Sequence, residues 1–420
     1  MPIRSGVSSG AFDDVEEDEG IDCKAEGLAL FDGHMTPSID PHNGQKQDIV
    51  TAPSTFGTCL VLGIESSCDE TAASVLRRSA NGEINILSSI IASQDEHHAK
   101  FGGVVPEIAA RAHMNKIDNI IGQAVDTAGV DYADLSAIAA TSGPGLIGGV
   151  IAGLMAAKGL SMALDVPLIA VNHLEGHALS PRLAGACEFP YLLLLVSGGH
   201  TQLLSVKGLG DYERLGSTVD DAAGEAFDKT AKVMGLGFPG GPNVERTAKG
   251  GNPKAVKLPR PYWGKDHANF SFAGLKTAVA RAWDASDKSE KSAQDIAASF
   301  QSTVCEVLCE RTAKAMDMFT QSLSPTNTPQ RFVVAGGVAA NTAIRGALDT
   351  LCSQKGFTLN APPMIYCTDN AAMIALAGIE HLMRGEVSDL SAKARPRWPL
   401  DSAAAKDNPA SGSGRKGPKS

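Results

Sequence analysis

The stretch Cys59-Leu-Val-Leu-Gly-Ile64, which runs directly into Glu65-Ser-Ser-Cys-Asp-Glu-Thr71, decides the fold. A short apolar run that ends in small polar residues predicts a buried strand followed by a tight loop. Such a loop presents backbone N–H groups to an anion, and small side chains let a phosphate come close. The same pattern recurs at three further places: Leu135-Ser-Ala-Ile-Ala-Ala140 before Thr141-Ser-Gly-Pro-Gly-Leu-Ile-Gly-Gly149, Tyr191-Leu-Leu-Leu-Leu-Val196 before Ser197-Gly-Gly-His-Thr201, and Phe332-Val-Val-Ala335 before Gly336-Gly-Val-Ala-Ala-Asn341. Several such loops in one chain predict a nucleotide cleft.

The order of these loops predicts how the nucleotide is held. The chain has neither a Gly-x-x-x-x-Gly-Lys-Ser/Thr loop nor a Rossmann Gly-x-Gly-x-x-Gly at its first strand-to-helix turn. A strand and phosphate loop near the start, a second loop in mid-chain and a late Gly-Gly loop are typical of the actin, sugar-kinase and Hsp70-like fold. We therefore expect an α/β protein of two facing lobes, built as duplicated RNase H-like domains, with the nucleotide between them.

Length and composition agree with two folded lobes flanked by terminal segments of a different composition. The chain has 420 residues, of which 43% are hydrophobic, and its 44 glycines and aliphatic runs suit parallel strands buried on both faces. Residues 1–57 carry eleven acidic and three basic side chains and are predicted to be a disordered leader. We expect an N-terminal lobe over residues 58–170, a C-terminal lobe over residues 171–395 and a disordered tail over residues 396–420.

Targeting and redox signals favour the cytoplasm. The eight cysteines form no Cys-x-x-Cys pair, and the chain shows no signal peptide and no run of 18 uninterrupted apolar residues. We therefore expect a reduced, cytoplasmic protein without membrane association. The net charge is −10, but most of it lies in the acidic leader, so the rest of the chain can still carry a local basic surface for nucleic acid.

Two histidines four residues apart, in Asn172-His-Leu-Glu-Gly-His177, carry the strongest chemical signal. On a helix this spacing stacks both imidazoles on one face, which suits a metal ion, although chance pairs that only solvate a helix share it. In the zincin motif a glutamate directly follows the first histidine as general base, whereas here that position is Leu174. Glu175 lies about 200° around an ideal helix from His173 and points away from the shared face. A peptidase of that class is therefore disfavoured.

The ordered motifs of the chain resemble one family closely, the universal tRNA threonylcarbamoyladenosine transferases in their bacterial form, once described as O-sialoglycoprotein endopeptidases. The resemblance covers residues 58–395. It rests on the two stretches quoted around residues 63–71 and 172–177 and on seven others: Ser93-Gln94 with Gly102-Gly-Val-Val-Pro-Glu-Ile-Ala-Ala-Arg-Ala-His113, Val196-Ser-Gly-Gly-His-Thr201, Asp220-Asp-Ala-Ala-Gly-Glu-Ala-Phe-Asp-Lys229, Phe238-Pro-Gly-Gly-Pro242, Phe270-Ser-Phe-Ala-Gly-Leu-Lys-Thr277, Ala335-Gly-Gly-Val-Ala-Ala-Asn341 and Thr368-Asp-Asn-Ala-Ala-Met373.

This resemblance implies a metal-assisted acyl transfer. The threonylcarbamoyl group would pass from threonylcarbamoyl-adenylate to N6 of adenosine 37 in tRNAs that read codons beginning with A, with release of AMP. The implied metal ligands are His173, His177 and Asp369, which would hold one divalent ion per subunit, with Fe²⁺ preferred to Zn²⁺. The implied partners are a smaller actin-like paralogue and a P-loop ATPase, and a separate synthase would supply the adenylate.

The resemblance also implies a set of substrate-binding residues: Val196, Ser197, Gly198, Gly199, His200, Asp228, Gly241 and Asn341. Backbone N–H groups of the glycine loop suit the adenylate phosphate and acyl portion, and Asp228 suits ribose hydroxyls. For Asp228 and Asn341, a purely structural role is also open. Asp228 could pair with Lys229 or Lys232 on a solvated helix, and Asn341 could cap the helix that follows Gly337.

Two acidic residues in the first loop, Asp69 and Glu70, are candidate catalytic groups. The donor is already an activated mixed anhydride, so the enzyme has chiefly to orient it and to neutralise the departing AMP. We expect one of these carboxylates to assist deprotonation of the adenosine amine or to orient the acyl group. The alternative is that both only cap a helix starting near Thr71.

Three other function classes compete with the transferase. A kinase or chaperone-type ATPase of the same fold would need the nucleotide loops but not a site made of two histidines and a carboxylate. A metallopeptidase lacks its general base. A non-catalytic scaffold within a modification complex is disfavoured because every matched ligand position is filled.

Overall fold

The structure is a computed structural model that describes residues 50–51, 57–94, 98, 101, 103–185, 187–323 and 330–407. Most of the predicted leader therefore lies outside the described residues. Its part at Val50–Thr51 (β1) pairs with Glu386–Val387 (β13) as a short antiparallel strand, so the expectation of disorder is wrong there.

The N-terminal lobe is built on a six-stranded mixed sheet. Its strands are Cys59–Glu65 (β2), Glu70–Arg78 (β3), Ile84–Ile86 (β4), Ile90–Ser93 (β5), Ala137–Gly143 (β6) and Leu168–Asn172 (β7). They lie in the order β4-β3-β2-β6-β7, with β5 also paired to β3. The first hairpin is antiparallel, and β6 and β7 continue the sheet parallel to β2. The buried strand predicted from the opening stretch is confirmed as β2.

The C-terminal lobe repeats this topology. Its strands are Tyr191–Val196 (β8), Thr201–Gly208 (β9), Asp211–Ser217 (β10), Gln330–Ala335 (β11) and Phe357–Asn360 (β12). They lie in the order β10-β9-β8-β11-β12, again an antiparallel meander extended by two parallel strands. The shared strand order confirms the predicted two-lobed α/β fold of duplicated RNase H-like domains.

Helices cover both faces of the first sheet because β2 alternates its side chains between them. Leu62 and Ile64 pack towards Pro106–Ala128 (α1) and Ile147–Leu164 (α2). Val61 packs on the opposite face against a helix from the far end of the chain, Ala371–Met383, which is α9 in chain order. The predicted boundary at residue 170 is therefore wrong for this segment, because α9 belongs to the core of the N-terminal lobe.

The short helix His173–Leu179 (α3) follows β7 directly and lies at the junction of the two lobes. Its Leu174 and Ala178 pack against β8 of the second sheet, and the helix also contacts α9 of the first lobe. The remaining helices belong to the second lobe: Ala223–Met234 (α4), Gly240–Ala248 (α5), Ala273–Ala285 (α6), Glu290–Ser322 (α7) and Thr342–Lys355 (α8). They bury a core that includes an edge-to-face pair of Phe227 and Phe300.

The chain beyond α9 runs as a strap from one lobe to the other. The backbone N–H of Arg395 donates to Ser142 at the end of β6 (2.7 Å), and Leu400 is buried in the core beside β8. Asp401 accepts from the backbone N–H of Arg214 (2.9 Å), and Ser402–Asp407 (α10) follows. Residues 396–407 are thus ordered, so the predicted tail cannot begin before residue 408, beyond which the sequence lies outside the described residues.

One described helix, α2, is long and apolar enough to cross a membrane by length and composition alone, with a mean hydropathy of 1.6. In the fold it is docked on the first sheet. A Cβ added at Gly149 would lie 2.3 Å from the backbone oxygen of Ser66, so only glycine permits this approach. Lys158 of α2 donates to the backbone oxygen of Ala392 in the strap (2.7 Å).

Candidate active site and metal centre

The cleft between the lobes encloses a cavity of about 1140 Å³. Residues of both lobes form its wall, as expected for a nucleotide held between two facing domains. Nine of the residues predicted to form the site line it: Asp69, Glu70, His173, Ser197, Gly198, Gly199, His200, Asp228 and Asp369. His177 lies directly behind His173, with only 1% of its side chain exposed.

The three predicted metal ligands lie together, and two of them, His173 and Asp369, line this cavity. Their ligand atoms are all within 4.8 Å of one another. Asp369 Oδ1 is 3.0 Å from His177 Nε2 and 3.6 Å from His173 Nε2, and the two rings meet edge to face. Asp369 precedes α9, so a carboxylate from a distant part of the chain completes the histidine pair. This donor set fits a divalent transition metal.

Local sequence explains why both imidazoles face the same way. β7 ends at Asn172, whose side chain accepts from the backbone N–H of Leu174 (2.9 Å) and so caps α3. The helix therefore begins at His173, and a spacing of four residues places His177 one turn later on the same face. The predicted helical pair is confirmed.

Glu65 is a second carboxylate at the metal centre. It is fully buried, and its Oε2 lies 2.9 Å from His173 Nδ1 and accepts from the Thr141 hydroxyl, while its Oε1 accepts from the backbone N–H of Ser67. This contact occupies Nδ1 of His173 and leaves Nε2 turned towards Asp369 and His177. The sequence analysis did not predict that Glu65 contacts His173. The signal that could have indicated it is a glutamate at the end of an otherwise apolar strand.

The charges of this cluster are arranged to hold a cation. Burial alone would raise the pKa of Glu65 and Asp369, but the adjacent imidazoles hold both below their usual range. Burial alone would lower the pKa of His173, but Glu65 and Asp369 outweigh it and raise it to about 9. The buried carboxylate of Glu65 and the partly exposed carboxylate of Asp369 therefore favour a positive charge beside them, which either a proton on His173 or a metal ion would supply.

Glu175 is turned away from the metal ligands, as predicted. Its carboxylate is buried and accepts from the Tyr212 hydroxyl (2.7 Å) and the backbone N–H of Gly210 (3.3 Å), and it lies 2.7 Å from His381 Nε2. The hydrogen bonds of Glu175 therefore connect α3 to the β9–β10 hairpin and to α9. Glu175 is not placed to act as a zincin general base.

The glycine loop after β8 places a histidine beside the metal ligands. The loop is closed by a bond from Ser197 N–H to the backbone oxygen of His200 (2.8 Å). His200 Nε2 is buried and has no hydrogen-bond partner among the described residues. Burial, and then the charges of His173 and His177, lower the pKa of His200 to about 3, so its ring is neutral at physiological pH.

The other predicted substrate-binding residues differ in their access to the cavity. Asp228 lines it and accepts from the backbone N–H of Gly240 (2.8 Å), whereas Lys229 pairs with Asp221 and Glu225. Three predicted residues are not among those that line the cavity: Val196, Gly241 and Asn341.

Asn341 performs the plainer role that the sequence left open. Its Oδ1 accepts from the backbone N–H of Ile344 (3.0 Å) and caps α8, and its Nδ2 donates to Gln301 Oε1 (2.9 Å). Gly241 lies in the first turn of α5, and Val196 is a fully buried strand residue. Asn341, Gly241 and Val196 could therefore contact a substrate only through exposed backbone atoms or after the surrounding chain rearranges.

Asp69 and Glu70 do not cap a helix, because the chain enters strand β3 at Glu70. The capping alternative is therefore wrong. Both residues line the cavity, and Asp69 is only 8% exposed. Burial, and then the charges of Asp69, Glu70 and Asp369, raise the pKa of the neighbouring Cys68 thiol well above its usual value, so this thiol is not an activated nucleophile.

Comparison with known proteins agrees with the site. A family model described as TsaD, tRNA N6-adenosine threonylcarbamoyltransferase, matches residues 85–376. The tRNA N6-adenosine threonylcarbamoyltransferase of Maricaulis maris is 58% identical over 371 residues, covering 88% of this chain and 98% of that protein. The protein of the same name from Caulobacter vibrioides is 56% identical over 360 residues, covering 86% and 97%.

A solved structure shares the fold at much lower identity. The crystal structure of full-length HypF in its phosphate- and nucleotide-bound form has a TM-score of 0.51 and 14% identity, covering 77% of this chain and 56% of that one. This likeness supports the two-lobed architecture alone. Because the family model spans most of the described fold and the relatives are matched over nearly their whole length, the chain belongs to the tRNA N6-adenosine threonylcarbamoyltransferase (TsaD) family.

Proposed function

We propose that this protein transfers a threonylcarbamoyl group from threonylcarbamoyl-adenylate to N6 of adenosine 37 in tRNAs that read codons beginning with A. The observation that carries the proposal is the three-ligand site of His173, His177 and Asp369 on the wall of the interlobe cavity. A phosphotransferase of the same fold has no need of such a site beside its nucleotide. The relatives' shared name supports the same reaction.

The metal is proposed to be Fe²⁺ in preference to Zn²⁺. Two imidazoles and one carboxylate are the donor set of non-haem Fe²⁺ sites, although zinc also accepts these ligands. When bound, the metal would act as a Lewis acid that polarises the threonylcarbamoyl end of the donor. Glu65 would keep Nδ1 of His173 occupied so that its Nε2 faces the ion.

The chain's own groups would bind and orient the adenylate. Gly198 and Gly199 offer backbone N–H groups at the cavity wall, and Asp228 can accept from ribose hydroxyls. His200, held neutral, can bind the acyl portion without competing as a cation for the metal's place. Gly241, Asn341 and Val196 are also proposed to contact the adenylate. This proposal rests on the family resemblance and on the positions of the three residues near the glycine loop and Asp228.

Asp69 and Glu70 are proposed to handle the proton of the amine. In the transfer the adenosine N6 bonds to the carbamoyl carbon, the bond from that carbon to the phosphate oxygen breaks, and AMP leaves with the electron pair. The amine loses one proton, which a carboxylate at the cavity wall can accept. No covalent enzyme intermediate is required because the donor is already activated.

A single-turnover assay tests the proposal. The purified chain with Fe²⁺, threonylcarbamoyl-adenylate and an unmodified tRNA is expected to form modified adenosine, measured by mass spectrometry of the digested nucleosides. His173→Ala should fold but lose metal and product, whereas His267→Ala, a histidine outside the cavity, should retain both. If no product forms even after partner proteins are added, a scaffold or ATPase role becomes the better explanation.

The proposed partners are a smaller actin-like paralogue and a P-loop ATPase. The support for a protein partner is an exposed apolar surface on the paired helices α1 and α2: Met114, Ile151, Met155 and Met162 are between 46% and 71% exposed. Contiguous exposed apolar side chains of this kind mark interaction surfaces. We further propose a cytoplasmic location, which follows from the tRNA substrate.

A further inference from the structure

We propose that Arg397, on the strap that joins the two lobes, binds a backbone phosphate of the tRNA at the mouth of the cleft. The inference rests on the proposed function, since it assigns to one residue a contact with the tRNA substrate.

The wall of the cavity is strongly acidic. Seven carboxylate side chains line it: Asp69, Glu70, Asp220, Asp221, Glu225, Asp228 and Asp369. Apart from histidines, the cationic residues on the wall are Lys229 and Arg397 among the residues that the structure describes. Both substrates of the proposed reaction carry phosphates, so the wall needs positive charge that is available to them.

Only one of these two cations is available. Lys229 Nζ lies 2.6 Å from Asp221 Oδ2 and 3.1 Å from Glu225 Oε1, so its charge is already compensated. The Arg397 side chain is exposed, and no hydrogen bond or ion pair of its guanidinium is found within the part of the chain that the structure describes. Within the described part of the wall, Arg397 is therefore a positive charge without a compensating partner among mostly acidic side chains.

The backbone that carries Arg397 is nevertheless firmly held. On one side Pro396 accepts from the backbone N–H of Gly145 (3.4 Å), and on the other Trp398 accepts from the Asn172 side chain (3.0 Å). The guanidinium of Arg395 stacks on the Trp398 ring, 4.5 Å from its centroid. Because the backbone is already held, only the side chain of Arg397 has to be ordered when its guanidinium binds an anion.

The position of Arg397 favours the tRNA over the adenylate. The groups proposed to hold the adenylate, the loop of residues 197–200 and Asp228, belong to the second lobe, whereas the strap at Arg397 is bound to the ends of β6 and β7 in the first lobe. A cavity of about 1140 Å³ admits a flipped nucleotide but not an anticodon loop. The phosphates that flank the target base must therefore stay outside the cavity, and Arg397 is a lining residue whose side chain is exposed to solvent.

The test compares three variants of the full-length chain loaded with Fe²⁺. Arg397→Gln removes the charge, Arg397→Lys keeps it, and Lys393→Gln is the matched control, since Lys393 is an exposed cation of the same strap that does not line the cavity. Dissociation constants are measured for an unmodified tRNA over a series of salt concentrations, and for AMP as the small phosphate probe.

Arg397→Gln is expected to weaken tRNA binding about 5–10-fold at low salt and to reduce the slope of log K against log salt by about 1, which is the signature of one lost phosphate contact. Arg397→Lys should restore the slope, Lys393→Gln should leave it unchanged, and AMP should bind equally to all four proteins. A purely structural role of Arg397 would not alter the salt slope.

Three results would overturn the proposal. The slope could be the same in Arg397→Gln as in the wild type, or the control could lose as much affinity as Arg397→Gln, or AMP binding alone could fall, which would assign the arginine to the adenylate phosphate. If the wild-type chain binds no tRNA, the proposed function fails as well. If it binds and modifies tRNA while Arg397→Gln behaves identically, only the assignment of Arg397 fails.

Discussion

Among single residues, Glu65 offers the clearest test of the proposed metal site, because it contacts the proposed ligand His173 and is not among the residues that line the cavity. We predict that Glu65→Gln, which keeps the size of the side chain but removes its charge, lowers metal affinity about 10–100-fold. The affinity is measured by competition with a chromophoric chelator. The amide can still contact His173, so the fold should persist by circular dichroism.

The control for this prediction is Glu83→Gln, a change of the same kind at an exposed turn residue, which should leave metal affinity unchanged. Equal affinities for Glu65→Gln and the wild type would show that Glu65 has no part in orienting His173. A loss of helical signal in Glu65→Gln would instead assign it a role in folding.

Asp69 and Glu70 are the residues on which the proton transfer is predicted to depend. Asp69→Asn and Glu70→Gln should each bind Fe²⁺ normally, and at least one should slow single-turnover transfer by a factor on the order of 10²–10⁴. The rate is measured by rapid quench and nucleoside mass spectrometry. If both variants fold, hold metal and react at the full rate, neither carboxylate is catalytic.

Among the elements, α9 depends on close contact with β2. A Cβ at Gly63 would lie 2.3 Å from the backbone oxygen of Ala371 and 2.6 Å from the backbone nitrogen of Ala375, so helix and strand would have to separate. We predict that Gly63→Ala lowers the free energy of unfolding by about 2–3 kcal/mol. It should also weaken metal binding, because Asp369 immediately precedes α9.

Gly122→Ala is the matched control for this effect. Gly122 lies within α1, where an added Cβ meets nothing within 4 Å, so the substitution should stabilise the helix by about 1 kcal/mol. Both values come from urea unfolding. Equal stability of the two variants would mean that α9 can shift on the sheet without cost.

The buried pair of Glu175 and His381 fastens α3 to α9, and its strength depends on pH. Burial alone would lower the pKa of His381, but Glu175 and Glu386 outweigh it and raise it to about 10, against about 6.5 in an unfolded chain. A folded-state pKa above the unfolded value stabilises the protein fully below pH 6.5. We therefore predict that this contribution is lost as pH rises from about 6.5 to about 10.

His381→Asn should remove that pH dependence and, by leaving Glu175 buried without its partner, cost about 3 kcal/mol at pH 6.5. Urea unfolding at several pH values measures both effects. His267→Asn, a histidine outside the network, should keep the wild-type slope. A wild-type stability that stays level between pH 6.5 and pH 10 would contradict the assignment.

For the whole molecule, the metal is predicted to act as a tie between distant parts of the chain. Its ligands lie on α3 and before α9, with His177 and Asp369 separated by 192 positions in sequence. A ligand that binds only the folded state raises stability by about 2.7 kcal/mol at one hundred times its Kd. Fe²⁺ or Zn²⁺ should therefore raise the Tm of the wild type, and a chelator should reverse the shift.

Asp369→Asn should show no such shift, whereas Asp349→Asn, an exposed aspartate of α8, should respond like the wild type. The comparison is made by differential scanning fluorimetry under anaerobic conditions. If Asp369→Asn is stabilised by the metal as strongly as the wild type, the ion is held elsewhere.

The strands, the glycine loops and the histidine pair were predictable because they are local. Short apolar runs, small residues at strand ends and a spacing of four on a helix all act over a few neighbouring residues, and the structure has them where the sequence indicates. The helix considered after Thr71 was wrong because Glu70 and Thr71 begin strand β3, where they pair with β5, and from Ala72 onwards the same strand pairs with β2. This pairing outweighs local preference.

The amino-acid sequence by itself indicated the two-lobed fold and a cleft between the lobes through local patterns, and its family resemblance pointed to three candidate metal ligands that the structure brings together. Only the tertiary structure decided which charges support the site. Glu65 meets Thr141 across 76 positions and His173 across 108, and Glu175 meets His381 across 206. It likewise placed α9 on the first lobe and Arg397 at the cleft, because packing between distant segments depends on the whole chain and leaves no local pattern.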